Sequence, residues 1–500
     1  GDSQTQTINP NIPALLSFST SSESIIAGSC SSAVTVDVYD QHNNLINQGS
    51  DTNYTVASTT SGTTTFYSNN DCSTLLNSAT VTVTSGSNNG SFYFKDTAEG
   101  SNTISVTGSG FAGSDSQGYT ITEAPPYELE ITSTAVAVKA GACSSAIITR
   151  RKDQFGNIVS PASATTLTPS GGSMSFYSDN SCASSITTIN ISSGSSQQQF
   201  YFKQNSVATP VLAVGGTSVT VNDSQQQNIV PNLPYVAEIG TTPATIVAGE
   251  CSTAFVINVK DQHGNSIDES TNTTIDLISA SSGTNSFYSD SSCTSTITST
   301  TVVSGTSSSS IYYSDTLVGT PTISTSGLTS GDSTTTSIIA AIPAALEFST
   351  TAASVPAGDC SSVVTARRKD QFNNISNHSS VTTVTPTGGT LSFFSDVNCT
   401  SAQATFDITS GATTASFYFN QNTVGSPTLT IAGSGGITSA TQAQSIVPND
   451  AYLLAISSAT QTLEAGVCST AAVTVDIKDE QSNLISAPAG TTFVVASSRT

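Results

Sequence analysis

The sequence predicts an all-β chain: a tandem array of antiparallel β-sandwich domains of about seven strands each, arranged end to end with one internal disulfide per domain. Three observations predict it. A cysteine phrase recurs at domain-sized intervals, an aromatic-to-cysteine phrase recurs out of step with it, and the segments between them alternate apolar and polar residues with the period of a strand.

The first phrase sets the period. "AGSC" ends at Cys30, "AGAC" at Cys143, "AGEC" at Cys251, "AGDC" at Cys360 and "AGVC" at Cys468, so successive copies lie 113, 108, 109 and 108 residues apart. That is the size of a domain and far above a solenoid unit. The second phrase is "FYSNNDC" ending at Cys72, "FYSDNSC" at Cys182, "FYSDSSC" at Cys293 and "FFSDVNC" at Cys399. Four complete repeats are therefore expected at 14–125, 126–234, 235–343 and 344–451. Residues 452–500 read as the first half of a fifth, with the partner of Cys468 beyond the end. Residues 1–13, whose "SQTQTINPNIP" matches "SQQQNIVPNLP", read as the last strand of a preceding repeat.

Within the first repeat the strands follow in order. "LLSFS", "AVTVDVY", "NYTVAS", "TTFYS", "ATVTV", "SFYF" and "NTISV" are short and rich in β-branched or aromatic residues, and Gly, Ser, Asn and Asp turns separate them. Helical periodicity is absent. In the FYS phrase, strand alternation points Phe66 into the core and Tyr67 outward. The polar turn that follows brings Cys72 back toward the strand beginning at Cys30. The expected disulfides are Cys30 with Cys72, Cys143 with Cys182, Cys251 with Cys293 and Cys360 with Cys399, which places the chain in an oxidising compartment. Zinc would need four ligands per site, and two cysteines per repeat with no matching histidine do not supply them.

Between strands stands an aspartate turn: "DQHNN" from Asp40, "DQFGN" from Asp153, "DQHGN" from Asp261, "DQFNN" from Asp370 and "DEQSN" from Asp479. Asp and Asn bond to nearby backbone, and Asn43, Gly156, Gly264 and Asn373 can take positive φ, so the phrase reads as a strand-joining turn. Calcium at the domain junctions is the rival reading, without the clustered carboxylates that such a site needs.

Composition narrows the partners. Only 9% of the 500 residues are charged, against about 25% in ordinary soluble proteins, and the net charge is -22. Binding phosphate requires clustered Lys and Arg, so nucleic acid and anionic membrane are not expected partners. The longest apolar run, 338–346, is broken by Pro343, and a membrane span needs about 20 residues.

The phrases "VTVDVYDQHNN", "ITRRKDQFGN" and "FVINVKDQHGN", in repeats of this length, resemble the bacterial immunoglobulin-like (Big) tandem repeats of large surface adhesins, including the invasin and intimin class. The resemblance implies immunoglobulin-like sandwiches in a cell-surface or secreted stalk, and it implies no catalysis. The second cysteine here precedes about three further strands and Trp is absent, which departs from the antibody-type bridge between strands B and F.

Two kinds of repeat alternate. "TRRKDQF" and "ARRKDQF" in the second and fourth stand where "VDVYDQH", "INVKDQH" and "VDIKDEQ" stand in the others, 217 residues separating Cys143 from Cys360. Six of the twelve Lys and Arg residues sit there: Arg150, Arg151, Lys152, Arg367, Arg368 and Lys369. Alternation turns Arg151 and Arg368 inward, where a buried guanidinium must be paired or lie at the open end of the sandwich. Two roles suit these clusters: contact with carboxylates of the same or a neighbouring domain, or lateral docking between chains.

No repeated base or nucleophile exists. His42, His263 and His378 read as solvated loop residues, and no hydrolase, zincin or phosphate-loop motif occurs, so neither an enzyme nor a cofactor is expected. The reading is a non-catalytic structural rod of a very long secreted or cell-surface protein, an adhesin stalk or a filament subunit, hardened by its disulfides. Its partners are copies of itself or neighbouring domains, and a host or neighbouring cell surface. The alternative is that the repeats themselves bind glycan or protein.

Overall fold

The computed structural model describes every residue except 61, 112, 242, 244, 269, 499 and 500. The chain forms two compact units, residues 1–233 with 263–265, and residues 234–262 with 266–500, and each is described by itself.

The first unit begins with a nine-stranded sandwich. Its strands are β1 (Pro13–Phe18), β2 (Ser24–Ile26), β3 (Val34–Asp40), β4 (Thr52–Ser58), β5 (Thr64–Tyr67), β6 (Thr80–Val83), β7 (Asn89–Asp96), β8 (Gly100–Thr107) and β9 (Asp115–Thr122). One sheet runs β1-β3-β7-β5 and the other β2-β9-β8-β4-β6. All seven strands read from the alternation are present. The two additions are β2, three residues long, and β9, whose DSQGYTIT shows only Tyr119 and Ile121 as buried apolar residues. These two pair in parallel, Ile25 opposite Ile121.

Alternation builds the core directly. In β3 the residues Val34, Val36 and Val38 are buried while Thr35, Asp37 and Tyr39 are less so. They meet Tyr54, Val56, Val83, Ile104 and Ile121 from the opposite sheet in one apolar cluster. Phe66 packs edge-on against Phe92, and Phe94 against Tyr119 across the sandwich. Tyr67 lies outward, with the Lys95 ammonium 5.5 Å from its ring centre.

The rest of this unit is a second sandwich. One sheet orders Glu128–Ile131, Ile147–Lys152, Gln197–Lys203, Ser175–Tyr177 and Ser185–Ile186; the other orders Ile189–Ile191, Thr165–Ser170, Val211–Gly216 and Asp223–Gln226. A parallel pair sets Val138 opposite Ile229. In the second unit two sandwiches close around separate cores, one containing Phe255, Ile257, Ile311 and Tyr313, the other Val364, Ala366, Phe417 and Phe419. Each again carries a parallel pair, Ile246 with Ile338 and Val355 with Ile446. A three-stranded sheet of Leu453–Ile456, Val475–Lys478 and Leu484–Ile485 follows. Among the described residues no helix is long and apolar enough to cross a membrane.

One disulfide lies within each sandwich: Cys30–Cys72, Cys143–Cys182, Cys251–Cys293 and Cys360–Cys399. Cys468 is free and exposed. The residue after the first cysteine of each pair completes the link to the core strand. Ser31, Ser144, Ser252 and Ser361 are buried, and their hydroxyls accept the backbone N–H of Phe94, Phe202, Tyr313 and Phe419 at 2.9–3.0 Å. The second cysteine of each bridge takes a left-handed backbone, φ between 49° and 53°.

Closing a 39-residue loop stabilises a fold by about 4 kcal/mol on the chain-entropy account. Replacing Cys143 and Cys182 together by Ala is expected to lower the stability of the second sandwich by about that amount. Hydrogen exchange at Phe200 and Phe202, against Phe92 and Phe94 as internal reference, checks it.

Candidate functional site: the aspartate–asparagine clamp

The aspartate turn does more than join strands. In the first unit Asp153 follows the strand Ile147–Lys152 and is fully buried. Its Oδ1 accepts the backbone N–H of Phe155 and of Asn157, both at 2.9 Å. Its Oδ2 accepts the Asn157 side-chain amide at 2.8 Å and, from the segment that links the two sandwiches, the Ala124 N–H at 3.0 Å. Gly156 supplies the positive φ of 91° that lets the chain fold back over the carboxylate.

Asn157 then reaches into the preceding sandwich. Its amide donates to the Thr97 carbonyl at 2.8 Å, and its Oδ1 accepts the Glu99 N–H at 3.0 Å. The side chain thus pairs with backbone like one rung of a ladder, in the loop after β7.

The second unit builds the same clamp twice. Asp370 accepts from Ala341, and Asn374 pairs with the Thr316 carbonyl at 2.8 Å and the Val318 N–H at 3.1 Å. Asp479 accepts from Asn449, and Asn483 pairs with the Asn422 carbonyl and the Val424 N–H. At the head of the chain Asp40 accepts from Asn11 at 2.9 Å. Burial pushes the Asp153 carboxyl up, but the N–H bonds from Asn157, Ala124 and Phe155 together hold it below the ordinary carboxylate range. Every oxygen of Asp153 is occupied by donors, an arrangement that suits an anion held by amides rather than one offered to a cation. Among the described residues no three His, Cys, Asp or Glu side chains gather as a metal site.

A second contact seats each clamp. The glycine of the AG-C phrase has positive φ, 76° at Gly28 and 78° at Gly249. The ring of Phe155 lies on Gly28 and that of Phe372 on Gly249, so close that an added Cβ would stand 2.2 Å from either ring's Cζ. Phe372 also packs against the apolar core of the sandwich before it. At the following junction Gln481 occupies this place over Gly358.

The basic clusters divide by strand face. Arg150 and Lys152 point outward to Glu130, and Arg367 and Lys369 to Glu347, all within their own sandwich. Arg151 and Arg368 point inward and are fully buried. Carbonyl oxygens hold them in place of the carboxylate that the sequence suggests. Arg151 donates to Ser163 O, Ser192 O and Ser195 O and to the Thr165 hydroxyl. Arg368 donates to the carbonyls of Ser376, His378, Ser380 and Ala412. Each guanidinium therefore ties the loops at one end of its sandwich, and burial lowers its pKa. His378 lies in the loop so tied, its Nδ1 2.8 Å from the Ser380 hydroxyl.

Sequence reasoning found the turn and missed its reach. The signal was present: the closing Asn recurs at Asn44, Asn157, Asn265, Asn374 and Asn483, although a turn needs only the residue before it to take positive φ.

No family model matches the chain, and no curated protein matches it. Among solved structures it is similar to invasin, described as a bacterial integrin-binding protein, at 11% identity and a TM-score of 0.30, over 86% of this chain and 79% of that one. It is similar to the S-layer protein rSbsC at 12% identity and TM-score 0.22, over 93% of this chain and 58% of that one. For the Escherichia coli adhesin FdeC the values are 13% and 0.27, over 64% and 96%. Likeness at this level assigns no function to this chain.

Two outcomes check the clamp. Gly249→Ala is expected to destabilise the contact by about 1–2 kcal/mol through its left-handed backbone, with a further loss from the displaced ring. Phe372→Ala in the same chain should relieve only the second part, so the two changes should be less than additive in calorimetric unfolding; strict additivity would show that the ring does not rest on the glycine. The depressed Asp153 pKa stabilises the clamp above the ordinary value of 3.8 and ceases to do so as pH falls through the folded value. The protection factor of the Ala124 amide should therefore hold from pH 8 to about 4 and fall only below it. A loss already between pH 7 and 5 would mean that a different group governs the joint.

Proposed function

We propose that this chain is a stretch of a non-catalytic extracellular stalk or filament whose sandwiches are load-bearing links. The observation that carries the proposal is the recurrence of one clamp, built from the same Asp and Asn, at the three within-unit junctions described above. A chain of independently tethered binding modules has no need of side chains spent on fixing each module to its neighbour.

Two features of each sandwich support the reading. The short second strand pairs in parallel with the last, as Ser24–Ile26 does with Thr120–Thr122. Tension applied to the two chain ends then loads all the bonds of that pair at once, in shear. The disulfide closes the stretch from the end of the second strand to the loop after the FYS strand, 39 to 42 residues that a pulled chain cannot pay out. Disulfides of this kind persist in oxidising, extracellular surroundings.

A second reading, recognition of glycan or protein by the repeats, has one observation in its favour. Half-buried aromatics stand side by side on the outer face of each sandwich: Tyr67 with Tyr93, Tyr177 with Tyr201, Tyr288 with Tyr312, and Phe394 with Tyr418.

Single-molecule stretching of the oxidised chain separates the two. Each sandwich should resist and then release only the residues outside its disulfide loop, and reductant should lengthen each release by about 140 Å. Release lengths indifferent to reductant, or sandwiches that open without measurable force while the chain binds polysaccharide through the outer tyrosines, would overturn the stalk proposal.

A further inference from the structure

We infer that the head-to-tail interfaces within the units come in two classes, tight and loose, and that Phe155 and Phe372 are the residues that make the tight class. The inference concerns which surfaces grip each other, and its test does not depend on the stalk reading.

The two classes differ at both partners. In the tight class the entering turn presents Phe, at Phe155 and Phe372. The receiving loop is rooted on a fully buried aspartate. Asp96 accepts the Ala98 N–H at one oxygen and, at the other, Thr60 Oγ1, Thr64 Oγ1 and the Asn102 amide. Asp315 accepts the Leu317 N–H and the Tyr313 hydroxyl. The backbone carbonyl of that aspartate also accepts the N–H of the glycine under the ring, at 2.7 Å for Gly28 and 2.8 Å for Gly249. Charge, loop and aromatic seat are therefore one connected structure with its acceptors satisfied.

In the loose class the aspartate is replaced by Gln421 and the phenylalanine by Gln481. Gln421 holds its loop by donating to Thr423 O, which leaves its Oε1 buried without a partner. At the junction entered by Gln481, the Gln481 Oε1 is also buried without a partner. An unpaired buried acceptor gives up its water and gains nothing, so it weakens the surface that carries it. The Asp–Asn clamp is common to both classes. What separates the junctions within the units is a phenyl ring on glycine, at Phe155 and Phe372, against the unsatisfied amides of Gln421 and Gln481.

The Arg–Arg–Lys phrase travels with the tight class for a reason visible in the second unit. Arg368 ties the loop through the Ser376 carbonyl, and the Ser376 hydroxyl donates across the junction to Ala341 O at 2.9 Å. The inward arginine thus stiffens the same head that presents Phe372.

Hydrogen exchange on the full chain tests the inference, read at the junction amides of Ala124 and Ala341. Phe372→Gln should lower protection at Ala341 about tenfold and leave Ala124 unchanged, and Phe155→Gln should do the reverse. Protection at Phe417 and Phe419 reports that the fourth sandwich stays folded, and Asn374→Ala sets the scale for a broken clamp. Protection at Ala341 within twofold of the original in Phe372→Gln, with Asn374→Ala clearly lowered, would overturn the assignment of tightness to the ring.

Discussion

A buried carboxylate filled entirely by N–H donors is the constraint on which the junctions depend. Burying an unpaired charge is very costly, so the turn first satisfies Asp153 locally, through Phe155 and both amides of Asn157. Only one acceptor position is left for the neighbour, and the Ala124 N–H takes it. The local bonds also fix the Asn157 side chain, so its pairing with Thr97 and Glu99 costs little further side-chain entropy. A flexible residue reaching the same carbonyl would spend much of the bond's gain on being ordered.

The same economy explains how a chain with so few charges keeps two arginines inside. A buried guanidinium does not require a carboxylate, provided its fan of donors meets enough oxygen dipoles. Arg151 and Arg368 meet backbone carbonyls from loops at one end of the sandwich, loops too rich in Ser and Thr to be held by apolar packing. In the other repeats Val38, Val259 and Ile477 fill the inward position and their loops go without this tie. The outward members of the clusters pair with Glu130 and Glu347, partly exposed ion pairs that contribute little to stability.

Most of the fold was legible because strand alternation and burial are the same fact seen twice, as Val34, Val36 and Val38 illustrate. One bridge per sandwich was legible from the recurrence of the two cysteine phrases. The strands Ser24–Ile26 and Asp115–Thr122 were not, because a three-residue strand has no period to display and a strand at the polar margin of a sheet buries only two apolar side chains. The clamp was hidden for a different reason. Asp and Asn explain a turn so well that the turn alone accounts for them. The glycine seats were hidden too, since a positive φ is sufficient cause for Gly28 and Gly249 until the aromatic ring of the next sandwich is placed over them.

The two-repeat period ties these strands of argument together. A chain that duplicated a single repeat would carry identical junctions, with every weakness repeated along its length. Doubling a pair instead allows its junctions to change independently, and within the units the differences gather at the contacts: Phe against Gln on the entering turn, Asp against Gln under the receiving loop, Arg against an aliphatic residue behind it. Two of these changes reach the apolar clusters, since Phe372 packs against the core before it and Val38 and Val259, both core members, stand where Arg151 and Arg368 stand, while the remaining core positions stay aromatic, β-branched or aliphatic. The fold tolerates them because the junction residues are held by local hydrogen bonds and the core by alternation, two systems that meet at the end of one strand face, where Asp40 follows Val34, Val36 and Val38.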